Sequence, residues 1–160
     1  MTERNDGPGR FAAAAATLGL TVELKEFAES TRTAQEAAAA CGCAVGQIVK
    51  SLVFKGRKSG KPYLLLVSGD NRVDQKGVAG QIGESLDRPD ADFVRDLTGF
   101  AIGGIPPLGH DTPLATFMDE DLFRHAQVWA AAGSPNSIFQ TTPVELEKAS
   151  GAKTIKVHSP

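Results

Sequence analysis

Gln47-Ile-Val-Lys-Ser-Leu-Val-Phe54, followed by Lys55-Gly-Arg-Lys-Ser-Gly-Lys-Pro62 and then Tyr63-Leu-Leu-Leu-Val67, is the stretch that decides the fold. The first and third segments are rich in β-branched and other apolar residues and read as strands. The glycine- and lysine-rich segment between them is a turn, so the two strands form an antiparallel hairpin. A hairpin this central argues against a fully parallel, doubly wound sheet and for an α+β arrangement.

Working outward, Thr21 to Phe27 alternates Val22 and Leu24 with Glu23 and Lys25 and reads as a half-buried strand. Upstream, Arg10 to Leu18 is a short helix with Gly19 as its stop, and the polar start Met1 to Gly9 is expected to fray. Thr33 with Glu36 three residues on is a capping box, and Gly42 ends the helix it opens. Downstream, Val73 to Ile82 and a segment opened by Asp90 and closed near Gly99 read as helices. Phe100 to Ile102, Pro113 to Met118, Gln127 to Ala132, Ser137 to Thr141 and Ala152 to Val157 read as strands. Asp119 to Phe123 could make a helical turn, and Thr142-Pro-Val-Glu145 opens a last helix through Ser150. The expectation is one α+β domain over residues 10–160, with a mixed, barrel-like sheet of about six or seven strands flanked by helices.

The totals bound the function. A chain of 160 residues with 41% hydrophobic and 22% charged residues has the composition of a globular protein with a real core. Its net charge of −2 carries no global nucleic-acid signature, so any RNA contact must use a local patch. No apolar run approaches the ~20 residues of a membrane helix, and no membrane partner is expected. Cys41 and Cys43, one residue apart, make a poor disulfide and a poor zinc site, which points to a reducing cytoplasm. No metal or cofactor is expected.

Three places could carry chemistry. Lys50 stands in the middle of a strand and shares a face with Ile48, Leu52 and Phe54, so its ammonium must reach solvent, a carboxylate or a ligand. It is either a lysine snorkelling at the sheet rim or one placed to polarise a carbonyl or hold a phosphate. Lys55, Arg57, Lys58 and Lys61 follow it with no acidic residue among them, which makes either a solvated hairpin tip or a weak RNA contact. Gly99-Phe-Ala-Ile-Gly-Gly-Ile-Pro-Pro-Leu-Gly-His110 combines glycines with locked prolines, so its backbone can approach a ligand closely. His110 could touch a ligand or carry a proton, and Gly133-Ser-Pro-Asn136 offers a hydroxyl, an amide and turn backbone. Nucleophile elbows, phosphate-cradling loops and metal-binding His-Glu-x-x-His patterns do not occur.

These pieces, taken in order, resemble the YbaK/prolyl-tRNA-synthetase-associated (ProX-like) editing domains. The resemblance runs through Thr33-Ala-Gln-Glu-Ala-Ala-Ala-Ala40, Gln47 to Phe54, Gly103-Gly-Ile-Pro-Pro-Leu-Gly-His110, Trp129-Ala-Ala-Ala-Gly-Ser-Pro-Asn136 and Thr142-Pro-Val-Glu-Leu146, roughly residues 20–155. It implies trans-editing: hydrolysis of the ester that joins a mischarged small amino acid to a tRNA, of tRNA(Pro) type, in the service of translation fidelity. It places Lys50, Gly103 and Gly104 as catalytic, and Ser51, Ile105, Pro106, Pro107, His110, Gly133, Ser134 and Asn136 around the substrate. Water is the implied nucleophile, with positioning and charge stabilisation supplied by the site. The implied partners are mischarged aminoacyl-tRNA and a prolyl-type synthetase, not DNA. The alternative is a non-catalytic module that binds aminoacyl-tRNA or a synthetase.

Overall fold

The hairpin forms where the sequence places it. In the computed structural model, which describes residues 7–28, 31 and 33–158, β2 (Ile48–Gly56) pairs antiparallel with β3 (Pro62–Ser68), Lys50 lying opposite Val67. Leu64, Leu65, Leu66 and Val67 are all fully buried. β3 therefore lies between two apolar layers, which is why its sequence is a continuous apolar run instead of an alternation.

Around this pair the chain adds β1 (Leu24–Glu26), β4 (Leu86–Asp87), β5 (Ala115–Asp119), β6 (Val128–Ala131), β7 (Ser137–Thr141) and β8 (Lys153–Ile155). The order is β1-β7-β6-β2-β3-β5-β8, with β4 joined to β2. The β2–β6, β3–β5 and β5–β8 pairs are parallel and the others antiparallel, so the sheet is mixed. Among the described residues it has eight strands, in keeping with the expected mixed sheet flanked by helices, and its path ends at β1 and β8 without closing into a barrel. The extra strand is β4, two residues in an acidic segment and too short for any periodic signal.

Among the described residues, five α-helices flank the sheet. α1 (Gly7–Thr17) starts ahead of the expected Arg10, so residues 7–9 of the expected frayed start are helical and residues 1–6 lie outside the described residues. α2 (Ala34–Cys41) has the reciprocal Thr33/Glu36 capping box and ends on Gly42. α3 (Gln75–Ile82) and α4 (Ala91–Thr98) are capped by Asp74 and Asp90, whose side chains accept from the backbone N–H groups of Gly77 and Phe93. α5 (Pro143–Ser150) carries proline in its first turn behind an N-cap Thr142. One layer of core places Val49, Val53, Leu64, Leu66 and Met118 against Phe11 of α1, Val94 of α4, Leu146 of α5 and the loop residues Phe100, Ile105 and Leu108. Phe54, Leu65 and Val67 face the other way, onto Val78 of α3, Ile155 and Val157. α2 lays Ala37 and Ala38 on Ile48 and Ile138.

One expected strand does not form. Phe100 to Ile102 is a series of turns. Gly99 caps α4, and the Thr98 hydroxyl donates to the Val94 carbonyl (2.8 Å) while accepting from the Phe100 N–H (3.0 Å). Ala101's carbonyl accepts from the Gly104 N–H at 3.0 Å. With the Phe100 N–H and the Phe100 and Ala101 carbonyls bonded locally, the run joins no ladder, while the Phe100 side chain is buried.

Candidate active site

The site begins with a gap in the sheet. One edge of β2 is paired along its length with β3, but the other is shared: β6 pairs Ile48 and Val49, and β4 pairs Lys55 and Gly56. Among the described residues, positions 50–54 have no strand on that edge. A cavity of about 530 Å³ sits beside it, within the ~300–1,000 Å³ usual for small-molecule sites. Its walls are Ile48 to Val53, the start of α2 (Thr33 to Gln35), Arg88 and Pro89 after β4, Trp129 to Ala131 of β6, and Ile102, Gly103 and Ile105. Lys50, Ser51, Gly103 and Ile105 therefore share one cavity.

Lys50 is half-buried, and its ammonium donates to the backbone carbonyl of Asn71 at 2.6 Å. That carbonyl is held in turn by its own side chain. The Asn71 amide donates to Asp119 Oδ2 (2.9 Å) and Asp121 Oδ2 (2.8 Å). Asp119 is fully buried and also accepts from the backbone N–H groups of Ser68 (3.0 Å) and Asp121 (2.9 Å). Burial pushes the Lys50 pKa below its ordinary 10.5, while the charges of Asp70 and Asp119 pull it back up and that of Arg72 adds to the lowering. Beside it, the Ser51 hydroxyl is buried without a hydrogen-bond partner among the described residues. A buried donor left unpaired costs stability, and with almost none of its surface exposed the Ser51 Oγ is enclosed by protein although the residue itself lines the cavity.

The glycine–proline loop is a rigid wall. Gly103 has φ +96°, a conformation that favours glycine. Gly104 lies against the 133–136 turn so closely that a Cβ there would stand 2.5 Å from the Ser134 carbonyl carbon. Its N–H is bonded to Ala101 and its carbonyl accepts from the Gly133 N–H at 3.0 Å, so Gly104 joins loop to turn and has no spare donor. Pro106 and Pro107 are buried in the loop and do not line the cavity. His110 Nε2 lies 2.7 Å from the Pro106 carbonyl oxygen, which can only accept, so Nε2 carries the proton. Burial lowers the His110 pKa from its ordinary 6.5, with the Pro106 hydrogen bond and Asp111 acting the other way. The ring also stands edge-on to Phe100, 6.3 Å between centroids. His110 is thus a brace within the loop, away from the cavity lining.

Gly133, Ser134 and Asn136 also lie outside that lining. Asn136 Nδ2 donates to the Phe27 carbonyl (2.9 Å), and the Pro135 carbonyl accepts from the Thr31 N–H (2.8 Å) and hydroxyl (2.9 Å). Ser134 Oγ pairs with Ser137 Oγ (2.6 Å) and donates to Asn136 Oδ1 (3.1 Å). The turn therefore anchors Phe27 and Thr31, the latter part of the cavity wall.

The hairpin tip is less basic in space than in sequence. Arg57 is paired with Asp87 at 2.9 Å. Glu84 accepts from the N–H groups of Lys58 and Ser59 and the hydroxyls of Ser59 and Tyr63, which pull its pKa down to about 2. Lys55 and Lys61 lie over the rings of Phe93 and Tyr63. Cys41 and Cys43 are free thiols away from the cavity, and burial pushes Cys41 up to about 11, which leaves it an un-ionised, poor nucleophile. Among the described residues, no three His, Cys, Asp or Glu side chains gather as a metal-ligating set, and no helix is long and apolar enough to cross a membrane.

Sequence reasoning missed several residues the structure brings forward. Asp119 and Asn71 carry no motif and announce themselves only by meeting across the fold. Arg10 is another: it donates to the Gly99 carbonyl (2.9 Å), pairs with Asp111 (3.2 Å) and covers the Phe100 ring, pinning both ends of the loop to α1. Arg88 at the cavity rim is the fourth.

The fold is an α+β domain with a mixed sheet, and its cavity sets a half-buried lysine on a split strand edge beside a glycine–proline wall. Residues 28–149 match the model of the aminoacyl-tRNA editing domain, and the chain belongs to that family. It is 32% identical over 131 residues to the uncharacterized protein YwhH of Bacillus subtilis (strain 168), covering 82% of this chain and 83% of that protein. It is 28% identical over 135 residues to the proline–tRNA ligase of Bacillus licheniformis, covering 81% of this chain but 23% of the ligase. Among solved structures, one described as "a putative trans-editing enzyme for prolyl tRNA synthetase" superposes with a TM-score of 0.91 at 47% identity, over 97% of this chain and 98% of that one. The hypothetical protein APE2540 follows at 0.85 and 29% identity, over 92% and 98% of the two chains.

Proposed function

We propose that this chain is a trans-acting aminoacyl-tRNA deacylase, which hydrolyses the ester of a small amino acid mischarged on a tRNA of tRNA(Pro) type. The family supplies the substrate class, and the likeness to proline–tRNA ligases and to the trans-editing structure supports the prolyl assignment. The observation that carries the chemistry is the shared cavity: Lys50, whose ammonium is anchored on the Asn71 carbonyl, and the left-handed Gly103 line one space.

The residues act as follows. The aminoacyl group enters beside the open edge of β2, with apolar contact from Ile105 and Ala130 limiting its size. Water attacks the ester carbonyl carbon; a C–O bond forms to water as the ester C–O bond breaks, and a water proton passes to the departing ribose oxygen. Negative charge gathers on the carbonyl oxygen, where the Lys50 ammonium and backbone donors near Gly103 stabilise it; removing one such group typically costs about 10²–10³ in rate. Ser51 contributes to the wall of the pocket beside Lys50. The network from Asp119 through Asn71 keeps the lysine aimed, so little reorganisation is needed as charge develops. Gly104, the prolines, His110 and the 133–136 turn keep the wall in place.

The test is release of amino acid from a panel of tRNAs mischarged with alanine, serine, threonine, cysteine or 2-aminobutyrate. Deacylation of at least one by catalytic amounts of protein is expected. Binding without turnover on every member would support the non-catalytic alternative instead.

A further inference from the structure

Among the described residues, Lys50 and Arg88 are the two charged residues in the cavity lining, and no carboxylate lines it. Lys50 is held by Asn71. Arg88 has no carboxylate within ion-pair distance among the described residues; its neighbour Asp87 is engaged by Arg57. Arg88 is solvent-exposed at the rim, and its guanidinium lies 5.2 Å from the centroid of the Phe54 ring. Phe54 is 1% exposed and cannot move aside, so the guanidinium rests on a fixed platform with its N–H fork free. A guanidinium unpaired among the described residues, at the mouth of a cavity whose described lining has no carboxylate, selects an anion with paired oxygens.

We propose that Arg88 is a phosphate subsite, taking the phosphodiester on the 5′ side of the terminal nucleoside while that nucleoside's ester lies against Lys50. The proposal rests on the deacylase reading. The chemistry of the substrate picks the anion: an aminoacyl ester has no free carboxylate and carries a cationic α-amino group, which Arg88 would repel. The anion available at the cavity mouth is therefore the RNA backbone. The hairpin-tip cations, engaged with Asp87, Glu84 and aromatic rings, are less free to serve.

The experiment compares two esters of the same amino acid, one on the tRNA and one on adenosine, which has no phosphate. The wild type is expected to prefer the tRNA ester in kcat/KM, and Arg88→Ala to lose about ten- to hundredfold of that preference, mainly through KM, with Arg88→Lys in between. The log–log salt slope for RNA should fall by about one contact. Equal losses on both esters, or an unchanged preference, overturn the subsite. Should the wild type hydrolyse neither ester, the deacylase reading fails by itself. Titration of a short uncharged RNA ending in adenosine then decides the subsite: weaker binding by Arg88→Ala supports it and equal binding refutes it. Thermal unfolding of the variant, expected to match the wild type for so exposed a residue, excludes misfolding.

Discussion

Asn71→Ala separates the aim of the lysine from its presence. The substitution keeps the carbonyl that receives the Lys50 ammonium but removes the amide that fixes it. Two hydrogen bonds to carboxylates are lost, each worth about 1.5–3 kcal/mol. The Asp121 side chain is 19% exposed and can rehydrate, whereas Asp119 is fully buried and cannot. Counting the Asp119 bond in full and the other in small part gives a destabilisation of about 2–4 kcal/mol. At roughly 2–4 °C per kcal/mol for a chain of this size, Tm should fall by about 4–16 °C. A lysine freed from its acceptor regains up to ~2 kcal/mol of rotamer entropy, which has to be lost again in the transition state. That corresponds to a fall in kcat of about ten- to thirtyfold at 25 °C, with KM little changed. Single-turnover deacylation and thermal unfolding on the same preparation measure both. A variant with lowered Tm and wild-type kcat would refute the positioning role, and an unchanged Tm would refute the buried network.

Two further perturbations probe the wall of the site. Gly104→Ala drives a Cβ into the Ser134 backbone and should cost about 1–3 kcal/mol and reduce deacylation, whereas Gly80→Ala in α3, where a Cβ meets nothing within 4 Å, should be neutral or stabilising; unfolding curves compare them directly. His110 has its pKa lowered by burial, so the folded protein resists a proton that the unfolded chain accepts from pH 6.5 downward. Its stabilising effect is complete above pH 6.5 and declines as pH falls below it. Tm should therefore drop between pH 7 and 5, and His110→Gln should flatten that slope; Glu84, lowered from 4.5 to about 2, adds its own loss only below 4.5. An identical slope in the variant would remove His110 as the titrating group.

What the sequence made legible was local. The Thr33/Glu36 box, the Gly42 and Gly99 stops and the β2–β3 hairpin depend on residues within a few positions of one another, so their chemistry can be seen in a line of text. Lys50 was visible because a charge in an apolar strand needs a reason. Phe100 to Ile102 misled because apolar content suggests a strand, while Thr98 and Gly99 beside it had already committed the backbone to a capping turn. The Asp119–Asn71–Lys50 chain was invisible for the opposite reason: its members are 21 and 48 residues apart and ordinary in their own surroundings. Arg57 and Glu84 show the same limit, since a patch that is basic along the chain becomes partly neutralised once β4 brings acidic residues to it.

The most direct measurement is deacylation of the preferred mischarged tRNA by Lys50→Met alongside thermal unfolding. The ammonium is held partly out of water, and replacing it with an apolar side chain of similar length removes a desolvation cost as well as a 2.6 Å hydrogen bond. Stability should thus change by no more than about 1–2 kcal/mol, while kcat falls by about 10²–10³. A Lys50→Met protein that folds and deacylates at the wild-type rate would contradict the account.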